Sequence, residues 1–217
     1  MYRSNLGLAL LMMNDVDAAA AAFTHASRLD ASNALAHYML GQILEAGNDS
    51  NGAIAELHEA ARLRIVWAPA YLELADLLCQ RGESFQALEV LRDVAKVESG
   101  WMAEPTVQLR CALACCAALA GTGRGQDVPP EMDRELLRSE ALECLSSDLE
   151  AWEKRASDPS NKALVNKRMN HWLGDKDLEG VRSDDDLAHL SADEREAWER
   201  LWTAVRNLRD TTAPPGP

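Results

Sequence analysis

Three stretches of the chain match one another at a step of 34 residues, and that step constrains the fold more than any other feature. Leu6-Gly7 returns as Leu40-Gly41 and again as Leu74-Ala75. The same step carries Leu10 to Leu44 to Leu78, Ala19 to Ala53 to Ala87, Phe23 to Leu57 to Leu91, and Ala26 to Ala60 to Val94. Within each step the apolar residues recur every three to four positions, so each unit reads as two amphipathic helices, A then B. Small residues at Gly7, Gly41 and Ala75, and at Ala19, Ala53 and Ala87, allow the paired backbones a close approach. Phe23, Leu57 and Leu91 are expected to fill the seams between units. Asn14, Asn48 and Gly82 share one repeat position just past helix A, where a left-handed C-cap residue is needed.

This pattern resembles the tetratricopeptide repeat (TPR), whose L-G-x₂-Y…A-x₃-F…A signature has the same period, over roughly residues 1–99. The resemblance implies an all-α solenoid of helix-turn-helix units. The chain departs from the pattern where a helix-breaking Pro is expected, which is Ala31, Ile65 and Ser99 here, and where an early aromatic is expected, which is His37 in unit two. It also opens directly on a helix A with no polar cap on its first face, so the expectation is either a truncated array that begins at Met1 or an array whose upstream residues are missing here.

Beyond Ser99 the period breaks. "VQLRCALACCAALAGTG" reads as another helix A with its turn at Gly121, followed by the Gly/Pro connector "GTGRGQDVPP". A long helix follows, with Leu142, Leu145, Leu149 and Trp152 on one face. "SNKALVNKRMNHW" is a further helix, and "SADEREAWERLWTAVRNL" is the last. In that last helix Ser191 and Glu194 form a capping box, and Trp198, Leu201, Trp202, Val205 and Leu208 form its apolar stripe. The expected organisation is three repeat units over 1–99 and a modified fourth helix pair over 100–157. A Trp-rich helical cap over 158–210 and a disordered tail over 211–217 complete it. Trp152, Trp172, Trp198 and Trp202 are expected in the core, whereas Trp67 and Trp101 sit at unit junctions where an exposed ring is more plausible.

The segments "CCAALAGTGRGQD", "EALECLSSDLEAW", "NHWLGDKDLEGVR" and "DEREAWERLW", in this order and spacing, resemble the C-terminal region of planctomycete-type serine/threonine kinase/TPR proteins. The resemblance implies that this chain is the non-catalytic tail of such a protein, with any kinase domain lying upstream. No kinase motif is present here: the nearest glycine cluster, Gly121 to Gly125, follows a helix and leads into "QDVPP", so it reads as a flexible connector and not a phosphate cradle.

Composition narrows the partners. A net charge of −13 with pI near 4.8 repels a phosphate backbone, so nucleic acid is not expected. No apolar run reaches the ~18 residues of a membrane span, and "LGLALLMM" is explained as the first helix A, not an export signal. Five cysteines, an odd number with the adjacent pair Cys115-Cys116, do not suit a secreted disulfide framework, and a cytoplasmic protein is expected. Cys111 and Cys115 share a helix face and read as buried small apolar thiols, with a metal or redox role as the rarer alternative. His25, His37, His58, His171 and His189 show no ligand spacing, and "HEAAR" lacks the second His of a zinc-protease helix. No catalytic residue, metal ligand or cofactor is assigned.

"DKDLEGVRSDDD", residues 175–186, imitates a calcium loop: Asp175, Asp177, Glu179 and Asp186 fall at positions one, three, five and twelve, with Gly180 at six. Arg182 stands where an apolar residue belongs, and Asp186 is a methylene shorter than the bidentate Glu. The stretch is therefore expected to be a connector in which Ser183 and the following acids cap a short helix; weak calcium or metal binding is the alternative.

The remaining candidate surface is the concave face. Helix A positions that do not pack inward are Ser4, Leu8, Leu11 and Met12, then Tyr38, Gln42 and Glu45, then Leu72, Asp76, Cys79 and Gln80. A related TPR subclass grips a partner's C-terminal carboxylate with Lys and Asn at such positions; Tyr38, Gln42, Leu72 and Asp76 disfavour that mode. The expected function is a non-catalytic protein–protein interaction module whose groove takes a helical or extended peptide with apolar and some basic residues. The plainer alternative is that three units bind nothing specific by themselves.

Overall fold

A computed structural model describes residues 2–63, 68–97 and 108–213. Eleven α-helices and no strand occur among the described residues: α1 (Tyr2–Met12), α2 (Val16–Leu29), α3 (Ala34–Ala46), α4 (Ser50–Leu63), α5 (Ala68–Gln80), α6 (Ser84–Val97), α7 (Leu109–Thr122), α8 (Arg134–Ala156), α9 (Lys162–Gly174), α10 (Asp184–Leu187) and α11 (Ala192–Thr211). Each helix from α1 to α8 packs on the next one described, and α5 also meets α7, as in a solenoid of stacked hairpins. The fold is an all-α solenoid of TPR type closed by a helical cap.

The repeat geometry follows from the residues singled out above. Asn14, Asn48 and Gly82 hold φ of 60°, 61° and 81°, the left-handed region. At each of them the same pair of bonds closes the helix. Asn14 N–H donates to Leu11 O and Asp15 N–H to Leu10 O, and the pairs Asn48/Asp49 and Gly82/Glu83 repeat this on Glu45/Leu44 and Cys79/Leu78. That is a Schellman motif three times over. A Cβ on Gly7 would stand 2.6 Å from the Phe23 ring, and one on Gly41 would stand 2.7 Å from Leu57 Cγ. Phe23, Leu57 and Leu91 are fully buried in their seams. His37, in place of the aromatic, reaches across to Glu56 of α4 at 2.6 Å.

The tail differs from expectation at several points. Gly121 is inside α7, and the left-handed cap is Gly123 at φ 79°, two residues later. Gly121 is small for another reason: α8 crosses so closely that a Cβ would meet Arg134 O and Arg138 N at 3.0 Å. The Gly/Pro segment after it is docked, not flexible. Gln126 N–H donates to Gly82 O, and the Asp127 carboxylate accepts from Phe85 N–H (3.0 Å) and Gln86 N–H (2.7 Å), capping α6 from outside its own unit. Ser191 accepts from Glu194 N–H, but the Glu194 carboxylate pairs with Arg138 of α8 and does not complete the capping box.

The cap is built on tryptophan. Trp152, Trp172, Trp198 and Trp202 are all buried; Trp198 and Trp202 stack with centroids 6.3 Å apart. Trp202 Nε1 donates to Val181 O. Trp67 and Trp101 lie outside the described residues. Thr211 still belongs to α11, and Thr212 is buried with its hydroxyl donating to Leu208 O, so the expected fraying does not begin there; residues 214–217 lie outside the described residues. Among the described residues no helix is long and apolar enough to cross a membrane.

Candidate functional site

The structure divides the expected groove residues into two groups. In unit one, Ser4 is buried and accepts from Asn33 Nδ2 at 2.8 Å, while Leu8 and Leu11 are half-buried against the cluster around Phe23 and Leu40. These three serve the first seam more than a groove. A short Ser side chain lets the N-cap of α3 close over it. Met12 is 90% exposed at the end of α1.

In units two and three the residues converge. Tyr38 Oη donates to Glu73 Oε1 at 2.6 Å, and Gln42 Nε2 donates to both Tyr38 Oη (3.0 Å) and Glu73 Oε1 (2.9 Å). This cluster ties α3 to α5. Glu73 was missed by the sequence reasoning because Asn5 and Met39 hold its repeat position and no pattern marks it. On the next turn Gln80 Nε2 holds Asp76 Oδ2 at 2.8 Å.

The site is acidic. Burial, and then the Glu73 and Asp76 charges, push the Glu45 carboxyl above its ordinary value. Burial, and then the Glu73 carboxylate that accepts its proton, hold the Tyr38 hydroxyl far above the usual phenol range. Tyr38 is thus a hydrogen-bond donor and not an acid at any physiological pH.

From Asp76 the groove deepens into a cavity of about 300 Å³ between α5, α7 and the connector after α9. Leu72 and Asp76 line one side, His171, Asp175 and Asp177 another, and Cys79, Cys111, Cys115 and Cys116 the floor. Cys111, Cys115 and Cys116 are buried, as expected, and Cys79 is half-buried. Cys79 and Cys116 Sγ stand 3.3 Å apart, and Cys115 Sγ faces Asp175 Oδ2 at 3.7 Å. The Cys111 thiol beside it, then burial, raise Cys115 well above the usual thiol range, and the Cys79 thiol and burial do the same for Cys116. Burial, then Asp175 and Asp76, raise Asp177.

The calcium-like stretch does not close into a ring. Glu179 and Asp186 turn to Arg124, at 3.0 and 3.2 Å, while Asp175 and Asp177 face the cavity. Arg182 donates to Trp172 O and lies over the Trp202 ring. Ser183 Oγ accepts from Asp186 N–H at 3.1 Å and starts α10, which is the capping connector expected.

No protein-family model matches the chain, and no curated protein does. Solved structures do share its fold. The crystal structure of MamA protein superposes with TM-score 0.53 at 22% identity, covering 71% of this chain and 74% of that one. The crystal structure of YrrB, a TPR protein with an unusual peptide-binding site, superposes with TM-score 0.51 at 17% identity, covering 96% of this chain and 90% of that one. At these identities the likeness establishes the tetratricopeptide-type fold alone.

Proposed function

We propose that this chain is a non-catalytic protein–protein interaction scaffold whose groove across α3 and α5 takes an extended or helical peptide bearing apolar and basic residues. The observation that carries the reading is the preorganised acidic surface. Tyr38, Gln42 and Glu73 are locked by three mutual hydrogen bonds, Glu45 and Asp76 stand beside them, and Leu72 offers an apolar contact. A site whose polar groups are already held loses less entropy when a partner docks. Basic residues would meet Glu45 and Asp76, and apolar ones Leu72 and the cavity mouth. Met12 extends the surface towards unit one, where Leu8 and Leu11 are turned into the seam, and Gln80 holds Asp76 at the far end. That solved structures of this fold include a TPR protein with a peptide-binding site supports the same reading.

The working division is 1–99 for the repeats, 100–157 for the fourth pair and 158–210 for the cap, which Thr211 and Thr212 continue. The partner is a protein or peptide, with neither nucleic acid nor membrane, in the cytoplasm. The order of the four tail segments quoted above supports placing the scaffold behind a serine/threonine kinase domain. Selection from a displayed random-peptide library, run beside a Tyr38→Ala/Asp76→Lys variant, tests the groove. Enrichment of basic–apolar sequences by the wild type, lost in the variant, supports it; equal recovery by both refutes it.

A further inference from the structure

We propose that Cys115, Asp175 and Asp177 form a binding site for a divalent transition metal of the zinc class, with His171 as fourth ligand. One ligand atom from each of the first three lies within 4.8 Å of the others, and His171 Nε2 stands 3.7 Å from Asp175 Oδ2. The elements hold them there for separate reasons. Cys115 projects from the buried face of α7, Asp175 is the residue on which α9 ends, and its Oδ1 fixes the backbone of Asp177 at 3.0 Å. His171 lies one turn back on α9 with an exposed side chain able to swing inward.

The donor set is one thiolate sulfur, two carboxylate oxygens and one imidazole nitrogen. Such a mixture suits zinc or its cobalt surrogate; calcium and magnesium take oxygen ligands and do not favour sulfur. Metal–ligand distances of about 2.0–2.3 Å put neighbouring ligand atoms of a tetrahedron roughly 3.5 Å apart. The observed spacing therefore needs closure by about an ångström, which side-chain rotation supplies.

Charge points the same way. Three other part-buried carboxylates in this protein meet arginines: Glu140 meets Arg92, Asp148 meets Arg110 and Glu194 meets Arg138. Among the described residues no Lys or Arg forms an ion pair with Asp175, Asp177 or the neighbouring Asp76; Arg182, whose charge reaches Asp175, is committed to Trp172 O and the Trp202 ring. The half-buried Asp175 and Asp177, the exposed Asp76 and the buried Cys115 thiol thus border one cavity with no Lys or Arg paired to the carboxylates, an arrangement that a bound metal neutralises. The bound ion would join α7 to the connector after α9, and so the repeat array to its cap.

The test is cobalt(II) titration of the full chain, kept reduced with a phosphine, followed by absorption and by thermal unfolding. A sulfur-to-cobalt charge-transfer band that saturates at one equivalent and is displaced by zinc supports the site, as does a rise in Tm reversed by a chelator. Cys115→Ser must lose the band. Asp177→Asn, at a half-exposed position and with its Tm in the absence of metal checked against the wild type, must weaken cobalt binding by more than the roughly 10-fold minimum seen for outer-shell partners. The Cys79→Ala/Cys116→Ala double variant must keep the band. Absence of any band in the wild type overturns the proposal. So does a band that survives both Cys115→Ser and Asp177→Asn, or one that vanishes with Cys79 and Cys116.

Discussion

Arg110 Nε of α7 donates to Asp148 Oδ1 of α8 at 2.6 Å, with the Asp148 side chain almost wholly shielded from solvent. Burial raises the Asp148 carboxyl, and Arg110 opposes that rise. The pair therefore fixes the fourth helix hairpin at the cost of desolvating two charges. Removing one partner strands the other. Asp148→Ala is expected to destabilise the chain by about 3 kcal/mol in urea unfolding, while Arg110→Met/Asp148→Leu recovers most of that loss. A single variant as stable as the wild type would show that the pair is solvated.

Asp127 caps α6 with both carboxylate oxygens. Asp127→Ala is expected to cost about 1–2 kcal/mol and to speed amide exchange at Phe85 and Gln86, while Asp127→Asn retains part of the stability. Unchanged exchange at those two amides would contradict the docked loop.

Gly41 has Leu57 where its Cβ would be. Gly41→Ala should lower stability by about 1–3 kcal/mol through overpacking, although alanine favours helix formation. Shortening the obstacle in Gly41→Ala/Leu57→Val should return part of the loss by the same denaturation assay. A stabilised Gly41→Ala would mean that the two helices can separate freely.

The groove should respond to pH through Glu45. Its carboxyl is raised above 4.5 by burial, then by Glu73 and Asp76, so the folded chain binds this proton more tightly than the unfolded one. Between the unfolded and folded values, stability thus falls as pH rises. Affinity for a lysine-bearing peptide changes in the opposite direction, because the peptide prefers the ionised form. Fluorescence anisotropy between about pH 7 and pH 4 should show weakening that begins above the ordinary carboxylate range. Glu45→Gln should shift that onset downward; an identical profile in the variant would exclude Glu45 as the responsive group.

The repeat core could be read from the sequence because its determinants recur. Gly7 with Phe23, and Gly41 with Leu57, are the same contact spelled twice, and Asn14, Asn48 and Gly82 spell the same cap three times. Features made once were harder to see. Gly121 and Gly123 both signal a helix end, and only the crossing of α8 decides between them. The segment after α7 has the composition of a flexible connector, yet Asp127 finds its acceptor role on a helix far upstream, a relationship no local pattern encodes. Glu73 lacks a repeat counterpart. The thiol–carboxylate cavity draws Cys115 together with residues 60 or more positions away, and "DKDLEGVRSDDD" misleads because its acids diverge once the backbone turns.

The hold of Asp127 on α6 also has a meaning in time. A ribosome makes the array in order, and the first two units can pair as soon as they emerge. The third cannot be finished then, because the amides of Phe85 and Gln86 wait for a carboxylate synthesised about 41 residues later. A nascent chain halted between the two would carry α6 with its leading turn unanchored, and completion of the fourth hairpin would seal the unit before it.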